Sequence, residues 1–423
     1  MSKIHHLFQS LQTPDAFFNI SFVLMMLMMA LLPFTTFFMW PIGILLLLLW
    51  VFKGNWREKW ENFKANDGIP YGFFLMGIIL IPILGFINSS NTDIAWRTLE
   101  CYLWFFFAPI IFLTTSPKTW KKQHLSILFG LFSISVIVYL VTLFVRGFYM
   151  TFKTGDTSYM YNNFFCYNSH HAYTALYVNF VYLLIFYYLL HNQEKLKKSQ
   201  VVALYLIELF LAIGLFCVYS RAGILTFLIM QLVWAIYAIC LKPSRWKIIL
   251  AITAFVFGLF AVMVITSPTN RFTEEAISFR HRDKSKKKPD ARLIIWQASK
   301  DATIENLPWG VGTGDGYEVV MDKYHENGYW LNRNHPYNSH NQFLFALLTN
   351  GIPGLILILL YFFTPLRLSI KHRDILLLTI FLLMFLNCLV ECMFERRAGA
   401  DFFAIMICLF MIRVRVPDNS LPE

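Results

Sequence analysis

His340 stands in the stretch Asn338-Ser339-His340-Asn341-Gln342-Phe343-Leu344, where a polar segment runs into a long apolar one. An imidazole takes up a proton near neutral pH and so suits the work of a general base. A histidine at such a border can equally be an interfacial residue bonded to backbone. His335 lies five residues earlier, and Asn338 and Asn341 flank His340, so these three are the candidate supporting groups. No Asp or Glu lies between Gly328 and Asn341, so any carboxylate that orients either ring has to come from elsewhere in the chain.

Two arginines stand out by position. Arg221 interrupts an otherwise apolar stretch from Val201 to Leu241, in the turn Tyr219-Ser220-Arg221-Ala222-Gly223. Its guanidinium presents a fixed fork of donors suited to phosphate oxygens; the alternative is an arginine that anchors the turn among lipid headgroups. Arg292 opens a helical pattern, Ala291-Arg292-Leu293-Ile294-Ile295-Trp296. A cation at a helix start opposes the helix dipole unless an anion sits nearby, which hints at a ligand; otherwise it is a solvated surface residue. His170 and His171 begin an apolar run. Adjacent residues do not face one another on a helix and no third ligand is evident, so this pair does not read as a zinc site, and His171 is kept as a supporting candidate. Glu100, Glu208 and Glu391 fall in apolar runs, where they either move protons or pair with Arg97, Arg396 or Arg397. The glycines at 310, 312, 314 and 316 lack the strand–turn–helix setting of a phosphate loop and read as sharp turns. The lysines at 284 and 286–288 read as a solvated loop. The seven cysteines have no metal-binding spacing.

The elements that must position these groups are membrane spans. The 423 residues are 57% hydrophobic and 14% charged, against about 25% charged in soluble domains. That excludes a disordered chain, a coiled coil or an ordinary soluble enzyme. Runs long enough for a bilayer lie at 16–33, 37–52, 70–87, 94–114, 125–145, 171–190, 201–219, 222–241, 247–266, 341–363, 374–392 and 398–412, the last being the shortest. Twelve spans put both termini on one side. With the termini inside, the inner loops hold 19 of the 36 Lys and Arg and the short outer loops only five, the positive-inside pattern. The net charge of +11 is therefore mostly a topology signal and not a nucleic-acid footprint. The expected organisation is spans 1–9 in 1–266, an outer segment at 267–340, and spans 10–12 in 341–423. The outer segment predicts a helix from Ala291 to Ile304 with Asp290 as its cap, a loop from Leu307 to Gly316, and a helix from Asp315 to Glu326.

Together these features resemble the O-antigen ligase family of bacterial inner-membrane proteins, which is related to O-antigen polymerases. The resemblance rests on the topology and on Tyr219-Ser220-Arg221-Ala222-Gly223-Ile224-Leu225, on Ala291-Arg292-Leu293-Ile294-Ile295-Trp296, and on His340-Asn341-Gln342-Phe343-Leu344 followed by Asn350-Gly351-Ile352-Pro353-Gly354. The loop Pro308-Trp309-Gly310-Val311-Gly312-Thr313-Gly314 is similar to a further segment of that family. The resemblance implies an all-α, GT-C-like glycosyltransferase that needs no metal or other cofactor. It implies a glycan on undecaprenyl diphosphate as donor and a hydroxyl of lipid A–core as acceptor, on the periplasmic face of the inner membrane. On that reading Arg221 and Arg292 hold the diphosphate, His340 is the base, and transfer inverts the anomeric carbon. A polymerase using the same donor, and a transporter of lipid-linked glycan, remain as alternatives.

Overall fold

A computed structural model describes residues 14–161, 164–167, 169–265, 291–327 and 337–416. Asp290, the lysines at 284–288 and His335 lie outside the described residues. Among the described residues there is no strand. The helices are α1 (Pro14–Leu31), α2 (Met39–Phe52), α3 (Trp56–Ala65), α4 (Phe73–Gly77), α5 (Leu80–Ile87), α6 (Thr92–Leu113), α7 (Lys122–Thr154), α8 (His171–Asn192), α9 (Lys198–Val218), α10 (Arg221–Leu241), α11 (Trp246–Ile265), α12 (Ala291–Asn306), α13 (Gly316–Glu326), α14 (Gln342–His372), α15 (Ile375–Cys388) and α16 (Arg397–Arg413). The two helices expected in the outer segment are α12 and α13.

Every one of the twelve apolar runs is helical, but they are not twelve plain rods. Among the described residues, seven helices are long and apolar enough to cross a bilayer, or up to nine if each bent pair counts as one span. The run at 37–52 ends in a 116° bend into the polar helix α3, and the run at 70–87 is broken between α4 and α5. The run at 374–392 stops as a helix at Cys388, so Glu391 sits in a loop and not in a span.

The shortest run turns out to be the centre of the bundle. All residues of α16 from Gly399 to Ile412 are buried. Apart from Asp401, itself fully buried, this stretch is apolar or small all round, and a helix with no polar face to give to solvent is placed inside. Phe402 meets Phe132, Tyr177 and Phe180, and Phe410 stacks on Phe129, so α16 is gripped by α7 and α8. Its most extensive packing is against α6.

α14 is broken at Gly351, where the backbone turns to φ 59°, ψ −153°. Only glycine occupies that region without strain. The break frees carbonyls of the preceding turn, and the loop after α12 fills them: the N–H groups of Val311 and Gly312 donate to Leu348 and Thr349 at 2.9 and 2.8 Å. The Ile352 N–H donates back to the Pro308 carbonyl at 2.9 Å. Irregular backbone at membrane depth is tolerated where protein satisfies it in this way.

At the opposite end of the bundle, three loops expected on the inner face meet. Asp67 bonds Lys371 at 2.9 Å and His372 at 3.5 Å, and also pairs with Arg415. Asp374 caps α15 through the Leu377 N–H and pairs with Arg413.

Candidate functional site

The site is assembled where residues 338–342 lie along the loop between α15 and α16. Asn341 caps α14 by accepting from the Leu344 N–H at 2.9 Å, and its own amide donates to the Leu389 carbonyl at 3.0 Å. Gln342, fully buried, accepts from the Phe394 N–H at 2.8 Å and donates to the Tyr102 hydroxyl at 3.3 Å and Glu395 Oε1 at 3.4 Å. The Ser339 hydroxyl donates to the Asn341 carbonyl and contacts Cys392 Sγ. His340 takes a left-handed backbone, φ 46°, in the middle of this lacing. Its N–H donates to Asn338 Oδ1 at 3.0 Å, and its carbonyl accepts from the Trp296 indole of α12 at 3.4 Å. Asn338 and Asn341 thus serve as positioning groups.

The consequence is a dyad: His340 Nδ1 lies 3.0 Å from Glu391 Oε1. The ring is 19% exposed and the carboxylate 9%. Burial is the largest single influence on Glu391 and works against its charge, and the hydrogen bond from His340 opposes it. Helped by the charges of His340, His170 and Arg292, that bond holds the carboxyl below its ordinary value. An ionised carboxylate only accepts, so the imidazole donates to it from Nδ1. Glu391 is the functional residue that sequence reasoning did not connect to His340. The signal was present as an acidic residue at the edge of an apolar run, in Glu391-Cys392-Met393-Phe394-Glu395-Arg396-Arg397, but nothing local said which partner it took.

Arg221 is the first residue of α10. Tyr219 ends α9 in a left-handed conformation, φ 53°, and the Ser220 hydroxyl accepts from the Gly223 N–H at 3.2 Å. Gly223 fixes this turn to α8, because a Cβ there would meet Ala175 Cβ at 2.4 Å, while Asn179 donates to the Gly223 carbonyl at 3.0 Å. Arg292 is the second residue of α12. That helix is seated by Ile294, Ile295, Ala298 and Ala302 against Phe345, Leu348 and Cys392, with Val320 and Tyr324 of α13 closing the cluster. The charges acting on His171 include His170, Glu391, Arg292 and Arg221. Those acting on His170 include Glu391, Arg396, His340 and Arg292. One electrostatic neighbourhood therefore gathers His340, Arg221, Arg292 and His171, drawn from four separate stretches of sequence.

His170 and His171 require a correction. They do face one another, with ring centroids 4.2 Å apart. His170 is extended, φ −65°, ψ 133°, and caps α8 through its own Nδ1 at 3.4 Å from the Ala172 N–H, so helical spacing does not govern the pair. Burial pushes the His170 imidazole below its ordinary value. Glu100 takes the arginine role expected for it, at 2.7 Å from Arg397 Nη2. Glu208 is buried in α9. The glycine loop is structural: the Gly310 N–H donates to Asn306, that of Gly312 to Thr349, and that of Gly314 to Ser89 Oγ. Amides already committed to protein acceptors do not cradle a phosphate.

An imidazole paired with a carboxylate thus shares one electrostatic neighbourhood with two arginines at helix starts. The family model described as O-antigen ligase matches residues 206–359 of the chain. That segment runs from α9 into α14 and contains Arg221, Arg292 and His340, whereas Glu391, His170 and His171 lie outside it. No curated protein matches the chain. Over residues 206–359 the chain is similar to the O-antigen ligase family.

Proposed function

We propose that the protein is a glycosyltransferase of the inner membrane that moves a glycan from undecaprenyl diphosphate to a hydroxyl of lipid A–core, at a site on the periplasmic face of a twelve-span, GT-C-like bundle. The observation that carries this reading is the His340–Glu391 dyad, held in one electrostatic neighbourhood with Arg221 and Arg292. In the reaction the acceptor hydroxyl gives its proton to His340 Nε2, and its oxygen forms a bond to the anomeric carbon. The bond from that carbon to the diphosphate oxygen breaks, and the electron pair leaves with undecaprenyl diphosphate. Attack opposite the leaving group inverts the anomeric centre. Glu391 keeps the imidazole in the tautomer that accepts and stabilises the imidazolium that forms. The guanidinium forks of Arg221 and Arg292 bind the diphosphate and stabilise the charge that develops on it. The apolar spans carry the polyprenyl tail and the surrounding membrane lipids.

A polymerase would use the same donor and chemistry but a second lipid-linked glycan as acceptor. A transporter loses one of its two supports once Glu391 is tied to His340 in a loop and not placed in mid-span, while Glu208 remains buried in α9. Reconstitution with donor plus either lipid A–core or further donor tests the proposal. Glycan joined to lipid A–core is expected, with a rate roughly 10²–10⁴-fold lower in His340→Ala. Elongated donor as the sole product would make the protein a polymerase, and a His340→Ala variant that transfers at the wild-type rate would remove the base.

A further inference from the structure

A pocket of about 330 Å³ opens between the turn joining α1 to α2, the start of α8 and the start of α16. Its wall includes Thr36, Ser169, His170, Tyr173, Glu395 and Arg396. None of these has a part in the transfer chemistry described above, yet the set is unusual for the end of a helical bundle. Glu395 Oε2 is buried and has no hydrogen-bond partner, although Oε1 of the same group is satisfied by Tyr102 and Gln342. That oxygen is one of several buried polar atoms without a partner among the described residues, and it belongs to a residue of the pocket wall, where a donor on a ligand would satisfy it. Arg396 is exposed, and its guanidinium makes no ion pair or hydrogen bond among the described residues, in contrast to Arg397 on Glu100. Tyr173, 2% exposed, backs the pocket with an aromatic ring.

An acceptor, a multiple donor, hydroxyls and an aromatic wall are the groups that a sugar ring requires, because each ring carries several hydroxyls and an apolar face. A volume near the low end of the roughly 300–1,000 Å³ range of ligand pockets suits one or two rings and not a long chain. His170 on the pocket wall feels the charges of His340, Glu391, Arg396 and Arg292, and its stacked neighbour His171 those of Arg221 and Arg292, so the pocket adjoins the neighbourhood of the dyad. We propose that this pocket binds a core sugar of the acceptor, with Glu395 and Arg396 holding its hydroxyls and Tyr173 its apolar face, so that a neighbouring hydroxyl reaches His340. This assignment rests on the transferase reading for its choice of acceptor over donor.

The experiment uses the full chain in detergent and, as probe, the core oligosaccharide released from lipid A–core, with binding measured calorimetrically. Thr36→Trp, which fills the pocket, and Arg396→Ala, which removes an exposed side chain, are each expected to weaken binding about tenfold, the size of a lost charge-assisted hydrogen bond or a blocked pocket. In the transfer assay the same variants raise the acceptor KM and leave the donor KM unchanged. No binding to the wild type, equal binding to both variants, or an effect confined to the donor KM overturns the pocket. Transfer by the wild type is scored separately: wild-type transfer with unaltered variants sinks the pocket alone, while absence of transfer with pocket-dependent oligosaccharide binding sinks the transferase reading alone. Unchanged helix content and melting of Arg396→Ala exclude a folding artefact.

Discussion

A histidine can act as a base on a bound hydroxyl only if its two ring nitrogens are kept distinct, and at His340 that distinction comes from a residue 51 positions away, Glu391. Glu391 touches the ring and not the reacting atoms, so it is a positioning residue. Glu391→Gln keeps a group that can accept from Nδ1 but removes the charge, and is expected to lower kcat roughly 10²-fold or more with little change in acceptor KM. Glu391→Asp, which restores the charge on a shorter arm, recovers part of that loss; equal defects in Asp and Gln would mean that Glu391 merely packs. The stability effect has a defined sign. Because the folded carboxyl is held below its ordinary value of 4.5, its contribution is complete above that pH and is lost as the pH falls through the lowered value. The melting difference between wild type and Glu391→Gln should therefore be present at neutral pH and vanish in acid. His340, Arg221 and Arg292 were legible in the sequence because each is a polar group where an apolar pattern breaks. Glu391 was visible for the same reason, but its pairing was not, since it depends on how the start of α14 lies against the loop after α15.

Among the elements, α14 shows most directly how backbone irregularity serves the site. Its first turn carries the lacing around His340 and its break at Gly351 receives the loop from α12, so the helix bearing Arg292 and the strip bearing His340 share one support. A Cβ at Gly351 would lie 1.8 Å from the Pro308 carbonyl oxygen, and the position needs φ 59° with ψ −153°. Gly351→Ala is expected to destabilise the protein by about 3 kcal/mol or more, read as a lowered inactivation temperature in detergent micelles. A variant that melts with the wild type would show that the break is not needed. The glycine turn at 350–354 was readable as a motif, and the glycine loop at 310–316 as sharp turning. Their mutual docking was not, because it pairs two irregular stretches whose hydrogen bonds leave no periodic trace. The rank of α16 was also hidden: shortness counts against a span when runs are scanned one at a time, whereas burial on every side counts in its favour once the neighbours are present.

At the scale of the molecule, the two ends of the bundle carry different chemistry. One gathers His340, Glu391 and the arginines; the other knots Asp67 to Lys371, His372 and Arg415. The charge pattern of the loops assigns these ends to opposite faces of the membrane. In a Cys240→Ser background, cysteines introduced by Lys153→Cys or Glu318→Cys should react with an impermeant maleimide added outside, and one from Lys64→Cys only after the membrane is opened. All three positions are exposed, so reactivity reports side and not burial. Labelling of Glu318→Cys only from within would place the dyad on the wrong face. The sequence proposes the orientation through lysines and arginines in short loops, but it did not give the number of full spans, since α2, α4 and α5 bend where hydropathy alone draws a straight line. The central place of α16 has a further consequence for biosynthesis. Its main partner α6 leaves the ribosome roughly 300 residues earlier, which at about 5–20 residues per second is roughly 15–60 s. For that interval the face of α6 that packs most extensively on α16 is inserted without its partner helix. The bundle therefore cannot close outward from its centre as each span emerges; its perimeter is laid down first, and the late arrival of α16 is the step that commits the membrane domain to its final form.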